Sequence, residues 1–104
     1  MIDRQKAIDE IIEYFDWGKV HKTMEFLNWT WATTDNEVPT IGQLFNNAVR
    51  LLQDAYDGAL KEKQDYIVST GGFRAKALVN EEKEIFELQL AFELTSWEYY
   101  ETNF

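Results

Sequence analysis

Residues 40–61, T-I-G-Q-L-F-N-N-A-V-R-L-L-Q-D-A-Y-D-G-A-L-K, carry the longest unbroken period in the chain. At about 100° per residue, Ile41, Leu44, Phe45, Ala48, Leu52, Ala55, Tyr56 and Ala59 fall on one side of a helix. Asn47, Arg50, Asp54 and Asp57 fall on the other. Thr40 is placed to cap the first turn, and Gln43 completes a T-x-x-Q capping box. Pro39 cannot continue a helix backwards. Arg50 with Asp54, and Asp57 with Lys61, are i,i+4 pairs of opposite charge on the polar side. An apolar stripe of this length is stable only against another apolar surface, and the rest of the chain has to supply it.

The last third supplies it. There the apolar period drops to two, and residues 66–70, 73–79 and 84–94 read as three strands. Gly71-Gly72 is a two-residue hairpin signal. It sets Thr70 opposite Phe73, Val68 opposite Ala75 and Tyr66 opposite Ala77. Reading N-E-E-K, residues 80–83, as a four-residue loop sets Val79 opposite Glu84, Ala77 opposite Phe86, Ala75 opposite Leu88 and Phe73 opposite Leu90. Both turns then gather Tyr66, Val68, Phe73, Ala75, Ala77, Phe86, Leu88, Leu90 and Phe92 on one face, which fixes the register. The other face receives Ser69 opposite Arg74, Lys76 opposite Glu87, and Arg74 opposite Gln89. The small Ala75 and Ala77 leave room for the long helix to lie on the sheet.

Two shorter helices precede. Over residues 3–16, Ile8, Ile11, Ile12 and Phe15 share a face, Asp3 is placed as cap, and Gly18 is placed to end the element. Over residues 19–29, Val20, Met24 and Leu27 are spaced i, i+4, i+7. Residues 30–38 read as a polar loop. The expectation is an α+β chain forming a single domain over 1–104: three N-terminal helices packed in two layers on a three-stranded antiparallel meander.

With 45% hydrophobic and 15% aromatic residues this is a folding composition. Cysteine is absent, so no disulfide or thiolate metal site forms. No apolar run reaches the roughly 18 residues of a membrane span, and M-I-D-R-Q-K has no apolar signal-peptide core. A cytoplasmic setting is expected. Ten Lys and Arg against nineteen Asp and Glu give a net charge of −9, a field that repels nucleic acid and anionic lipid and attracts basic surfaces. The charge is uneven. Residues 81–104 hold Glu81, Glu82, Glu84, Glu87, Glu93, Glu98 and Glu101 against Lys83, whereas Lys61, Lys63, Arg74 and Lys76 make residues 61–76 mildly basic.

Catalytic sets are thin. Glu10-x-x-Glu13 and Asp54-x-x-Asp57 resemble the paired carboxylates with which all-α nucleotide pyrophosphatases hold magnesium. Both pairs point away from the apolar faces, so they read as solvated surface and no metal or cofactor is expected. His21, the only histidine, has no cysteine nucleophile to serve and nothing that brings it to Ser69. Neither phosphate-binding glycine motif occurs. The chain reads as a non-enzyme.

Two clusters remain as binding candidates. Trp29-x-Trp31 leaves a helix, and two tryptophans there either cap a small core or meet a partner. With Glu93, Trp97, Glu98 and Glu101 they form the candidate partner surface, which suits a protein with a basic face. Ser69, Thr70, Gly71, Gly72, Arg74 and Lys76 surround the first hairpin turn. They are the alternative site, for a nucleotide-type anion with Trp29 or Trp31 stacking on it.

The pattern D-W-x-x-V-x-K-x-M-x-x-L-N-W-x-W (residues 16–31), followed by V-P-T-I (38–41), R-L-L-x-D-A (50–55) and S-T-G-G-F-R-A (69–75), resembles a group of small bacteriophage-encoded proteins. The resemblance covers roughly residues 14–97, and W-x-W and S-T-G-G-F are its most distinctive pieces. It brings no catalytic residues. It implies a phage or prophage protein acting inside a bacterial host, where small acidic proteins often inhibit host or defence enzymes. A non-enzymatic host modulator is thus the first expectation and a small-anion binder the second. The long edge at 84–94 is also suited to pairing with a second copy.

Overall fold

The computed structural model describes residues 1–31, 41–70 and 72–93. Within the helices, the side chains of Met24, of residues 26–31 and of Ile41 lie outside the described set. Helices α1 (Arg4–Tyr14), α2 (Trp17–Trp31) and α3 (Ile41–Glu62) are followed by strands β1 (Tyr66–Thr70), β2 (Phe73–Val79) and β3 (Ile85–Phe92). The strands form one antiparallel sheet in the order β1-β2-β3. The fold is α+β.

Helix α1 starts as its sequence dictates. The Lys6 N–H donates to Oδ1 of Asp3 at 2.8 Å, so one orphan amide of the first turn is satisfied. Its end is a correction. Gly18 does not terminate it, because Phe15 already turns extended (φ −68°, ψ 147°). Asp16 then caps a new helix, accepting the Lys19 N–H at 3.1 Å. Helix α2 therefore begins at Trp17 and runs through Trp31, so Trp31, expected in the loop, lies with Trp29 in its last turn. The expected loop lies outside the described residues from 32 onward, and so does the Thr40 cap.

The stripe of α3 is buried as its period requires: Leu44, Ala48, Leu52, Ala55, Tyr56 and Ala59, joined by Leu51. Phe45 stands at the margin, 41% exposed, with its ring 5.4 Å from that of Trp17. The helix ends at Lys63, whose left-handed φ of 56° lets its N–H reach the Ala59 carbonyl. Neither expected ion pair on the polar side forms. Asp57 is held instead by Arg4 of α1, and among the described residues Arg50 and Asp54 make no ion pair. A long-range bidentate guanidinium contact outcompetes a flexible lysine one turn away.

The β1–β2 register is the expected one throughout: Tyr66 faces Ala77, Val68 faces Ala75 and Thr70 faces Phe73. Gly72, at φ 92°, supplies the left-handed residue that the turn needs. The β2–β3 register is displaced by two. Phe73 faces Phe92, Ala75 faces Leu90 and Ala77 faces Leu88, while a bulge at Leu78/Val79 leaves Val79 opposite Ile85. On the outer face Lys76 therefore meets Gln89 rather than Glu87, and Arg74 meets Ala91 rather than Gln89. A shift of two keeps each side chain on its face, so Leu88 and Phe92 are buried as expected. The bulge reverses the start of β3: Ile85 is wholly buried and Phe86 is 49% exposed.

Helix α3 lies across the inner face of the sheet, and α1 packs against both α3 and β3. Ala55, Ala59, Ala75 and Ala77 are all wholly buried, and their small size lets helix and sheet approach closely. Phe73 is the centre of an aromatic cluster, its ring 4.7 Å from Phe92, 6.2 Å from Phe15 and 6.3 Å from Trp17. Burying each such ring contributes about 1.5–3 kcal/mol. The Trp17 indole N–H donates to the Ile12 carbonyl at 2.7 Å and so satisfies an open acceptor at the end of α1.

Candidate functional site

Among the described residues, the inner face of the sheet is covered by α3 and α1 and the outer face is open. On the outer face Ser69 stands beside Arg74, and Ile67 beside Lys76 and Gln89. Ser69, Arg74, Gln89 and Ala91 are exposed, and Ile67 is 54% exposed. Neither Arg74 nor Lys76 forms an ion pair among the described residues. Two unneutralised cations on one sheet face are a local reversal in a chain of net charge −9.

Both cations line an open groove of about 700 Å³. One side of it is the outer face, with Ile67, Arg74, Lys76 and Gln89. The other is the end of α1, with Ile11, Tyr14 and Phe15, and residues 88–91 of β3 run between them. The sequence indicated the cations but not the α1 wall. Tyr14 sits off the apolar face of its helix and is exposed, so periodicity gave it no role.

The first-hairpin candidates divide in two. Ser69 and Thr70 are exposed at the end of β1, and Gly72 is at the turn, but none of the three lines the groove that takes Arg74 and Lys76. Gly71 lies outside the described residues. Of the partner surface, Glu93 is exposed just past β3, with its N–H bonded to the Gly72 carbonyl at 2.9 Å. Trp29 and Trp31 are placed by backbone only, and Trp97, Glu98 and Glu101 lie outside the described residues.

A second, shallower depression of about 510 Å³ is lined by Gln64, Asp65, Val79, Asn80, Glu81 and Lys83. Two of its polar side chains are occupied with folding. Asp65 accepts the Val79 N–H, and Asn80 accepts the N–H groups of Glu82 and Glu84. Nε2 of His21 stands 2.9 Å from Oε1 of Glu25, and no hydrogen bond links His21 to Ser69 among the described residues. Glu10, Glu13 and Asp54 are exposed, Asp57 is engaged by Arg4, and no group of three metal-ligating side chains forms among the described residues. No helix is long and apolar enough to cross a membrane among the described residues.

No family model matches the chain, and no curated protein or solved structure matches it significantly.

Proposed function

We propose that this chain is a non-enzymatic accessory protein of a phage or prophage that binds a host protein in the bacterial cytoplasm and inhibits it. The observation that carries the reading is the outer face of the sheet, which no other element covers among the described residues. Ile67 and Phe86 are exposed there, while the inner face is covered by α3 and α1. Large exposed apolar groups beside charged ones are the composition of a protein contact. The acidic surplus, including Glu93 with Glu98 and Glu101, would speed encounter with a partner whose surface is basic. Host defence and nucleic-acid enzymes have such surfaces.

The test is capture from bacterial lysate by tagged full-length protein, compared with an Ile67→Ser/Phe86→Ser variant whose fold is checked by circular dichroism. The expected result is one stoichiometric host protein held by the parent and lost by the variant. Charge reversal at Glu93, Glu98 and Glu101 is expected to slow binding and remove its salt dependence. No captured protein, or equal capture by the variant, overturns the reading.

A further inference from the structure

Strand β3 is an edge of the sheet. In an antiparallel ladder, alternate residues direct their N–H and C=O groups toward the neighbouring strand and away from it. The Glu93 N–H reaches the Gly72 carbonyl, so the backbone groups of Leu88, Leu90 and Phe92 face the free edge. Before the bulge, the Ile85 carbonyl faces the same way and accepts the Ile2 N–H at 3.0 Å. Among the described residues that is the only backbone bond on this edge. Unpaired groups at Leu88 and Leu90 thus lie along the floor of the groove, with Ile11, Tyr14 and Phe15 on one side and Arg74 and Lys76 on the other.

We infer that the groove takes an extended segment of a partner protein as a fourth strand beside β3, with apolar and acidic side chains alternating. This deepens the protein-binding reading and rests on it. The backbone edge fixes the conformation of the guest, because only an extended chain matches a row of strand N–H and C=O groups. The period of two fixes its pattern. Guest side chains on the inner side meet Leu88, Leu90 and the apolar end of α1, and those between them meet the outer face. Charge fixes the second kind. Arg74 is separated from an added strand only by Ala91, whose methyl group leaves the guanidinium free to reach across to a guest carboxylate. Lys76 stands one row further on, beside Gln89. Glu87 and Glu93 flank these lining residues along β3 and do not line the groove themselves. With a screening length of about 8 Å at physiological salt, more distant carboxylates count for less than two cations in contact.

The experiment is residue-resolved amide hydrogen exchange of the full-length protein, with and without a synthetic peptide, acetyl-Thr-Val-Glu-Val-Glu-Val-Thr-amide, at two protein concentrations. Leu88 and Leu90 are expected to exchange freely alone and to slow by about tenfold or more with saturating peptide. Gln89, already bonded to β2, is expected to change little. The counterpart peptide with Lys for Glu is expected to give no protection, and Arg74→Glu is expected to abolish the effect of the acidic peptide. Equal protection by both peptides, or none by either, overturns the inference. So does protection without peptide: if it grows with protein concentration a second copy occupies the edge, and if it does not, residues 94–104 do. A host protein captured in the lysate experiment while the peptide fails here would leave the binding reading standing and remove this one.

Discussion

A methyl group at position 58 would stand 2.5 Å from Cε1 of Tyr66, with Cδ1 and Cζ of the same ring at 2.6 and 2.7 Å. The long helix carries glycine at that point because the ring of the first strand occupies the space. Two effects compete in Gly58→Ala. Alanine favours the helix by about 0.5–1 kcal/mol, and the collision forces the Tyr66 ring off its seat. The ring is side chain and 36% exposed, so it can swing into solvent, giving up its packing on α3. Gly58→Ala is expected to lower stability by about 1 kcal/mol in the parent. In a Tyr66→Thr background the sign is expected to reverse, to a gain of about 0.5–1 kcal/mol. Urea unfolding of the four proteins checks this; a loss in both backgrounds would mean that something other than the ring opposes the methyl group.

Arg4 and Asp57 meet through two parallel hydrogen bonds, Nε to Oδ1 at 3.0 Å and Nη2 to Oδ2 at 2.9 Å, and so tie α1 to α3. The side chains are 37% and 58% exposed, so solvent and salt weaken the pair. A double-mutant cycle with Arg4→Ala and Asp57→Ala is expected to give a coupling of about 0.5–1 kcal/mol that shrinks in molar salt. Lys61→Ala is expected to show no coupling to Asp57. Coupling of Asp57 to Lys61 instead would restore the local pair read from the sequence.

Lys63 sits just past α3 with φ 56°, and Lys83 in the second turn with φ 64°. Both are lysines in a region where a Cβ is crowded by the following carbonyl, at a cost of about 1–2 kcal/mol per residue. Lys63→Gly is expected to raise stability by about 0.5–1 kcal/mol, since glycine is the preferred residue after a helix end. The check is thermal unfolding against Gln64→Gly one position on, where no positive φ occurs and a loss is expected.

How far the fold could be read in advance depended on whether its cause was local. Asp3, Gly71-Gly72 and the stripe of α3 each determine their own surroundings within a few residues, and the α1 cap, the β1–β2 register and the buried helix face followed from them. The second hairpin was not local in that sense. Asn80 folds its side-chain oxygen onto two amides and Lys83 turns left-handed, so the loop runs on through Glu84 and the bulge takes one residue more. No composition rule separates that turn from a four-residue one. Among the candidate site residues, Arg74 and Lys76 were legible as cations on the outer face because alternation fixes facing. That α1 would bring Tyr14 and Phe15 alongside them was not legible, because which helix borders which strand is decided by packing across the whole chain.

The bulge makes the sharpest test of that register. With the four-residue loop, Phe86 would face α3 opposite Ala77 and Ile85 would face solvent. In the structure their places are exchanged: Ile85 is wholly buried, and Phe86 is turned outward in the bulge. Truncating the two gives opposite expectations under the two registers. Ile85→Ala removes wholly buried methyl groups from the core, opposite Val79 on the neighbouring strand, and is expected to cost about 2–5 kcal/mol. Phe86→Ala removes an exposed ring and is expected to change stability by no more than about 0.5 kcal/mol. The larger loss for the smaller side chain is a result that hydrophobicity alone cannot produce. Denaturant unfolding followed by circular dichroism reads both. A heavy loss on truncating Phe86 would return the strand to its unbulged register and, with it, remove one of the two exposed apolar groups on which the proposed partner contact rests.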